Sequence, residues 1–182
     1  FYYQNVMINT NLIHSAYSNG IKRVLSSLST CAFPERTKLY PFEEEHLFDG
    51  PPAPTNFSYG MAKRMLHVQS CAYRKQYKVN YSTFCPSNLY GPGDHFGNVA
   101  SAQNGGTINL WGSGIPLRQQ LYIDDLCKII PYLLEQHNSD TPLIVAPSDN
   151  LTILEMSRIL VRQVNKNLTI SFDGKLDGQF RK

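Results

Sequence analysis

Helix-period apolar runs alternate along this chain with short β-prone runs, and that alternation restricts the fold more than any other feature. In residues 3–18 the positions Tyr3, Met7, Ile8, Leu12, Ile13 and Ala16 keep a helical period, and Asn19-Gly20 supplies a stop. Residues 24–29 follow as a strand ending in small hydroxyl residues. After a proline-rich loop at 34–56, Asn56 or Ser58 caps a helix to about residue 77, with Met61, Met65, Val68, Ala72 and Tyr73 on one stripe, a stripe that reads as core or dimer contact. Strand-like runs at 81–86, 107–111, 120–123, 143–146 and 169–172 are interleaved with helices from Asp124-Asp125 to about 137 and from 152 to 165. The buried face of the last helix reads as Ile153, Met156, Ile159, Leu160 and Val164. The pattern is α/β throughout, with no internal repeat.

Composition narrows the function. The 182 residues are 42% hydrophobic, enough for one sizeable core or one domain with a small appendage. A net charge of +3 with scattered basic residues points to no nucleic-acid partner but leaves anionic small ligands open. The four cysteines form no C-x-x-C pair and the histidines have no metal-ligand spacing, so no metal and no disulfide framework are expected. No apolar run approaches 18 residues, so no membrane partner is expected, and the expectation is a soluble, cytoplasmic protein. The acidic cluster Glu43-Glu44-Glu45 reads as a solvated face.

In open α/β sheets, chemistry collects beyond the carboxyl ends of strands. Three segments lie there or beside it: Ser29-Thr30-Cys31, Tyr59-Gly60-Met61-Ala62-Lys63, and the turn-rich segment from Asn88 to Asp94. A tyrosine and a lysine four apart at a helix start share one face, and a nearby ammonium favours the phenolate and so lowers the phenol's pKa from about 10. Taken alone, the pair reads more simply as two surface residues, and Cys31 as a small buried hydrophobe.

Together the segments resemble the extended short-chain dehydrogenase/reductases, and within them the GDP-L-fucose synthase branch. The resemblance runs in register over essentially the whole chain. It is carried by Ser29-Thr30-Cys31 with Phe33-Pro34, Asn56-Phe57-Ser58-Tyr59-Gly60-Met61-Ala62-Lys63, Asn88-Leu89-Tyr90-Gly91-Pro92, Trp111-Gly112-Ser113-Gly114 with Pro116 and Arg118, and Asp177-Gly178-Gln179-Phe180-Arg181-Lys182.

The resemblance implies a Rossmann-like doubly wound parallel sheet. Residues 1–95 form the later half of the dinucleotide-binding domain with the catalytic residues. Residues 96–182 form mostly the substrate-binding region, interleaved with a returning strand and helix of the first domain. The implied enzyme is an NADPH-dependent epimerase/reductase turning GDP-4-keto-6-deoxy-D-mannose into GDP-L-fucose by 3,5-epimerisation and C4 reduction.

Ser29, Cys31, Tyr59 and Lys63 are then catalytic, Cys31 being the base. Ser27, Tyr59, Lys63, Pro86, Asn88 and Leu89 hold the cofactor, and Asn88, Trp111, Arg118 and Lys175 the GDP-sugar. Trp111 reads equally as a stacking or a packing residue, and Arg118 alternatively as an ion-pair partner of Asp124 or Asp125. A homodimer through the helices at 3–18 and 58–77 is also implied. The family's catalytic acid is a histidine shortly after the Asn-Leu-Tyr-Gly-Pro block. His95 falls several residues too early for it and reads as a solvent-facing loop residue. The alternatives are another nucleotide-sugar epimerase/dehydratase of the superfamily, or a non-catalytic relative that binds nucleotide sugars. The chain starts Phe1-Tyr2-Tyr3, inside a helical pattern, and has no G-x-x-G-x-x-G turn. It is therefore expected to belong to a longer protein.

Overall fold

The computed structural model describes residues 2–35, 40–93, 106–164, 167–175 and 177. They divide into two compact units, Phe1–Ser87 with Asp125–Val145 and Asn88–Asp124 with Ala146–Lys182.

In the first unit, β1 (Arg23–Ser27), β2 (Asn80–Pro86) and β7 (Leu143–Val145) form a parallel sheet in the order β1-β2-β7. Helix α1 (Tyr2–Ser18) leads into β1 through Gly20, whose φ of 73° makes the turn. Helix α2 (Phe57–Tyr77) is the crossover between β1 and β2, the connection that parallel neighbours require. β2 is buried from Tyr81 to Pro86, as befits a central strand covered on both faces. The core gathers Ile13, Leu28, Phe33, Leu47, Leu66 and Tyr81. Arg23 ties down the end of the helix Ile123–Gln136 by donating to the carbonyls of Leu134 and Glu135.

The helices present different faces from those the apolar periods suggest. On α1 only Ile13 is fully buried, while Tyr3, Ile8 and Leu12 are exposed. On α2 the stripe Met61, Met65 and Val68 is exposed, and the buried positions are Gly60, Ala62, Arg64, Leu66, His67 and Ser70. The inward face is small at its start, at Gly60 and Ala62, and carries the polar Arg64, His67 and Ser70 beyond, so it weighs little in a hydrophobic period. Asn56 stands at the N-cap of α2 without a capping side-chain bond, and Ser58 lies inside the first turn.

The loop at 34–56 contains two 3-10 turns, Glu44–Phe48 and Pro54–Asn56. Its acidic cluster is not merely solvated. Glu43 and His46 form a reciprocal capping box, and the Glu44 carboxylate accepts the backbone N–H of Ile144 at 2.9 Å on β7.

The second unit contains three two-stranded ladders. β3 (Asn88–Tyr90) pairs in parallel with β6 (Gln120–Tyr122), so the first residues of the expected turn-rich segment are a strand. β4 (Thr107–Leu110) pairs in parallel with β9 (Thr169–Phe172), and β5 (Leu117–Arg118) pairs antiparallel with β8 (Leu151–Thr152). Helix α3 (Ile123–Gln136), which belongs to the first unit from Asp125 on, starts one residue before the aspartates expected to open it, and in the second unit α4 (Ile153–Val164) follows β8 directly. On α4 the fully buried residue is Ser157, bonded to Ile153 O, while Ile153, Met156 and Leu160 are half-buried and Ile159 is exposed. Val164's side chain lies outside the described residues.

Flush packing of α2 makes a specific demand. Ala62 is fully buried, so Ala62→Leu forces extra methylenes into a filled space and is expected to cost about 1–3 kcal/mol in urea unfolding. The same change at the exposed Ala72 is expected to stay within about 0.5 kcal/mol.

Candidate active site

At the carboxyl end of β1 the chain turns sharply, and Ser29 is the residue that caps the turn. Its backbone is extended (φ −157°, ψ 148°), and its Oγ accepts the N–H of Cys31 at 3.2 Å, starting the 3-10 turn Thr30–Ala32. That bond fixes the oxygen of Ser29, which lies near enough to the Tyr59 phenol to pull its pKa down. Tyr59 is the third residue of α2 and half-buried. One turn along, Lys63 donates its ammonium to the Ser27 carbonyl at 2.9 Å, 5.8 Å from the centre of the Tyr59 ring. An open cavity of about 340 Å³ runs along Pro54, Thr55, Asn56, Phe57, Ser58 and Tyr59. Ser27, Ser29, Cys31, Tyr59 and Lys63 are thus drawn together by one strand end and one helix start.

The electrostatics differ from the simple tyrosine-lysine picture. Burial raises the Tyr59 phenol above its ordinary value, the Ser29 hydroxyl pulls it back part of the way, and the Cys31 and Cys85 thiols push it up. The expected lowering by Lys63 is not among the causes of the shift; the ammonium is committed to the Ser27 carbonyl, and loss of water around the phenol dominates. Lys63 itself is held below its ordinary value, mainly by burial, with a small opposing pull from Cys85. Cys85, fully buried in β2, is pushed far above the thiol range by desolvation, so it is inert as a base. Cys31 is 8% exposed at the turn.

Two residues that periodicity passes over set the position of this turn. Gly60 lies where a Cβ would stand 2.5 Å from the Cys31 carbonyl oxygen and 2.8 Å from Pro52 Cβ, so α2 approaches the turn backbone to backbone. Arg64, buried one turn later, donates to Ala32 O and Gly50 O. A glycine next to the tyrosine and an arginine on a buried stripe are the signals that could have disclosed them.

Pro86 ends β2, and the next residue, Ser87, is buried with a hydroxyl that lacks a partner among the described residues. The remaining candidates belong to the second unit. Asn88 donates to Gln119 O at 3.3 Å, and Leu89 is exposed on β3. Trp111 is 79% exposed. The turn after it is held by two carboxylates: Asp173 accepts Gly112 N–H at 2.9 Å, and Asp177 accepts both Ser113 N–H and Ser113 Oγ–H. A side chain at Gly112, where φ is 76°, would collide with Asp177. Those bonds hold both carboxyls below the usual carboxylate range, and Arg118 adds a small pull on Asp177. Arg118 donates to Leu117 O at 2.7 Å, and Lys175 pairs with Asp173 at 3.4 Å. His95 and residues 178–182 of the terminal block lie outside the described residues.

A raised phenol has a defined consequence for stability. Between pH 10.0 and the folded-state value, the unfolded chain has lost the proton that folded Tyr59 keeps, so stability is full below pH 10.0 and falls as pH rises through the folded value. Lys63, being lowered, contributes with the opposite sign up to 10.5. Urea titrations from pH 9 to about 11 are therefore expected to show Tyr59→Phe losing less stability with rising pH than the parent chain. Equal slopes would contradict the burial of the phenol.

Residues 1–146 match the family model described as the NAD dependent epimerase/dehydratase family. The chain is 32% identical to the probable GDP-L-fucose synthase of Drosophila melanogaster and to the GDP-L-fucose synthase of Escherichia coli strain K12, in each case over 100% of this chain and 64% of the relative. A solved GDP-L-fucose synthetase from Naegleria fowleri, bound to NADP, superposes with a TM-score of 0.89 at 32% identity, covering 100% of this chain and 63% of that one. The chain thus spans just under two thirds of the length of these relatives. With a Rossmann-like parallel sheet and a family match across most of its length, this chain belongs to the NAD dependent epimerase/dehydratase family.

Proposed function

We propose that this chain is part of an NADPH-dependent enzyme that converts GDP-4-keto-6-deoxy-D-mannose to GDP-L-fucose by epimerisation at C3 and C5 and reduction at C4. The observation that carries the reading is the convergence of Ser29 and Cys31, in one turn at the end of β1, with Tyr59 and Lys63 at the start of α2, Lys63 bonded to the Ser27 carbonyl. The identity to GDP-L-fucose synthases supports the choice of sugar.

The chemistry follows from one polarised ketone. The Ser29 and Tyr59 hydroxyls donate to the C4 oxygen, where negative charge gathers when a proton leaves C3 or C5. Cys31 in its thiolate form takes that proton: the C–H bond breaks, the S–H bond forms, and the electron pair moves onto the C4 oxygen. An acid on the opposite face returns a proton to the same carbon, inverting it. After both centres are inverted, Tyr59 delivers its proton to the C4 oxygen during reduction. Burial keeps that phenol protonated at neutral pH, the state a proton donor needs.

The residues of the first unit fit a nicotinamide cofactor. Lys63 is anchored beside the phenol, and the unpartnered Ser87 hydroxyl next to Pro86 leaves a buried hydrogen-bonding group free at the carboxyl end of β2. Ser27, Tyr59, Lys63 and Pro86 hold the cofactor in this reading, with Asn88 and Leu89 following in sequence. When bound, NADPH supplies the hydride. In the second unit the exposed Trp111 and the cations of Arg118 and Lys175 serve the GDP end of the substrate. The four free cysteines suit a reducing, cytoplasmic compartment.

A homodimer is part of the same proposal. α1 and α2 are joined by Gln69–Thr10 and His14–Tyr73 hydrogen bonds, and both leave large apolar residues outward, among them Leu12, Met61, Met65 and Val68. Met65→Glu is expected to shift the protein to monomer mass in gel filtration with its secondary structure retained.

The decisive assay is the complete protein with GDP-4-keto-6-deoxy-D-mannose and NADPH, followed at the nicotinamide absorbance and by product NMR. One NADPH consumed per sugar is expected, with deuterium entering C3 and C5 from heavy water. Cys31→Ser is expected to lose the exchange by about 10²-fold or more. Turnover without net NADPH consumption would favour a cofactor-recycling epimerase, and no turnover a binding protein.

A further inference from the structure

Arg64 is an unusual occupant of a helix's inner face. It is 7% exposed, it belongs to no ion pair among the described residues, and the chemistry above makes no use of it. Its Nε donates to the Ala32 carbonyl and its Nη2 to the Gly50 carbonyl, each at 2.6 Å, with the guanidinium 5.6 Å from the centre of the Phe48 ring. Charge-assisted bonds of this length to buried carbonyls are among the stronger polar contacts in a protein. Ala32 directly follows Cys31 in the 3-10 turn. Gly60, four residues earlier on α2 and so on the same face as Arg64, admits the Cys31 carbonyl itself. The adjacent face carries Tyr59 and Lys63. One helix therefore holds the phenol on one stripe and grips the thiol's turn with the next.

We propose that Arg64 is the positioning residue of Cys31, fixing through the Ala32 carbonyl the turn that carries the thiol. The inference rests on the proposed epimerase/reductase function and separates its two stages. Proton abstraction at C3 and C5 needs the thiol in place. Reduction at C4 needs only the hydroxyl pair and the cofactor. Loosening the turn impairs the first stage more than the second, because Tyr59 is held by α2 itself, so a larger share of the ketone is reduced before it is inverted.

The test uses the complete protein carrying Arg64→Met or Arg64→Lys. With the keto sugar and NADPH, Arg64→Met is expected to lower deuterium exchange at C3 and C5 by about tenfold and NADPH oxidation by less than about threefold. The C4-reduced product then retains its original C3 and C5 configuration in larger share. Arg64→Lys, which keeps a cation able to hold one carbonyl, is expected to recover part of the exchange. A merely structural role lowers both rates together and leaves the product ratio unchanged, and that result overturns the proposal.

A second measurement needs no substrate. Iodoacetamide labelling read by peptide mass spectrometry is expected to modify Cys31 about tenfold faster in Arg64→Met than in the parent, with the buried Cys85 unchanged. Equal Cys31 labelling in variant and parent, or Cys31 and Cys85 rising together, overturns the clamp. If the parent neither exchanges nor oxidises NADPH, the proposed function fails while the labelling still decides whether Arg64 holds the turn.

Discussion

The backbone contact between Gly60 and the Cys31 carbonyl is the constraint from which the rest of the first unit follows. For helix and turn to meet at that distance, α2 has to lie flush at its start, where its inner face carries Gly60 and Ala62, with Arg64, Leu66, His67 and Ser70 buried further along. Packing that tight brings the start of α2 level with the end of β1, and the Tyr59 phenol then reaches the Ser29 hydroxyl. The same closeness strips water from phenol and ammonium, raising one pKa and lowering the other. Geometry and electrostatics of the site are two results of one helix-to-turn distance.

Small inner residues also explain why the large apolar side chains of α1 and α2 point outward. Had Met61, Met65 and Val68 formed the core stripe, the helix would stand farther from the strands and the hydroxyl pair would separate. The chain instead places its bulk on the far side of both helices. That exposed surface is the physical ground for the homodimer in the proposed function.

The order of helices and strands was legible because apolar spacing reports which segments bury a face, and parallel pairing across α2 followed from the crossover. Which face α2 buries was not legible: a hydrophobic period rewards bulk, and this interface is small at its start and largely polar beyond. The short strand Asn88–Tyr90 hid inside a glycine- and proline-rich segment because its pairing partner, Gln120–Tyr122, lies thirty residues away and no local signal announces it. Ser29, Tyr59 and Lys63 were conspicuous as residue types at strand and helix ends, yet the sign of the Tyr59 shift was not. A four-residue spacing shows that a lysine is near, whereas the loss of solvent around the ring depends on the fold of more distant segments. Arg64 escaped notice since a lone arginine in a helical stretch reads as surface, and only coordinates reveal that two carbonyls wait for it.

Glu44 has a consequence for association. Its carboxylate occupies the Ile144 amide on β7, the donor that an additional strand from another molecule needs in order to dock. Among the described residues, a charge from the loop thus takes up one donor on β7 that strand-to-strand pairing on that side would use.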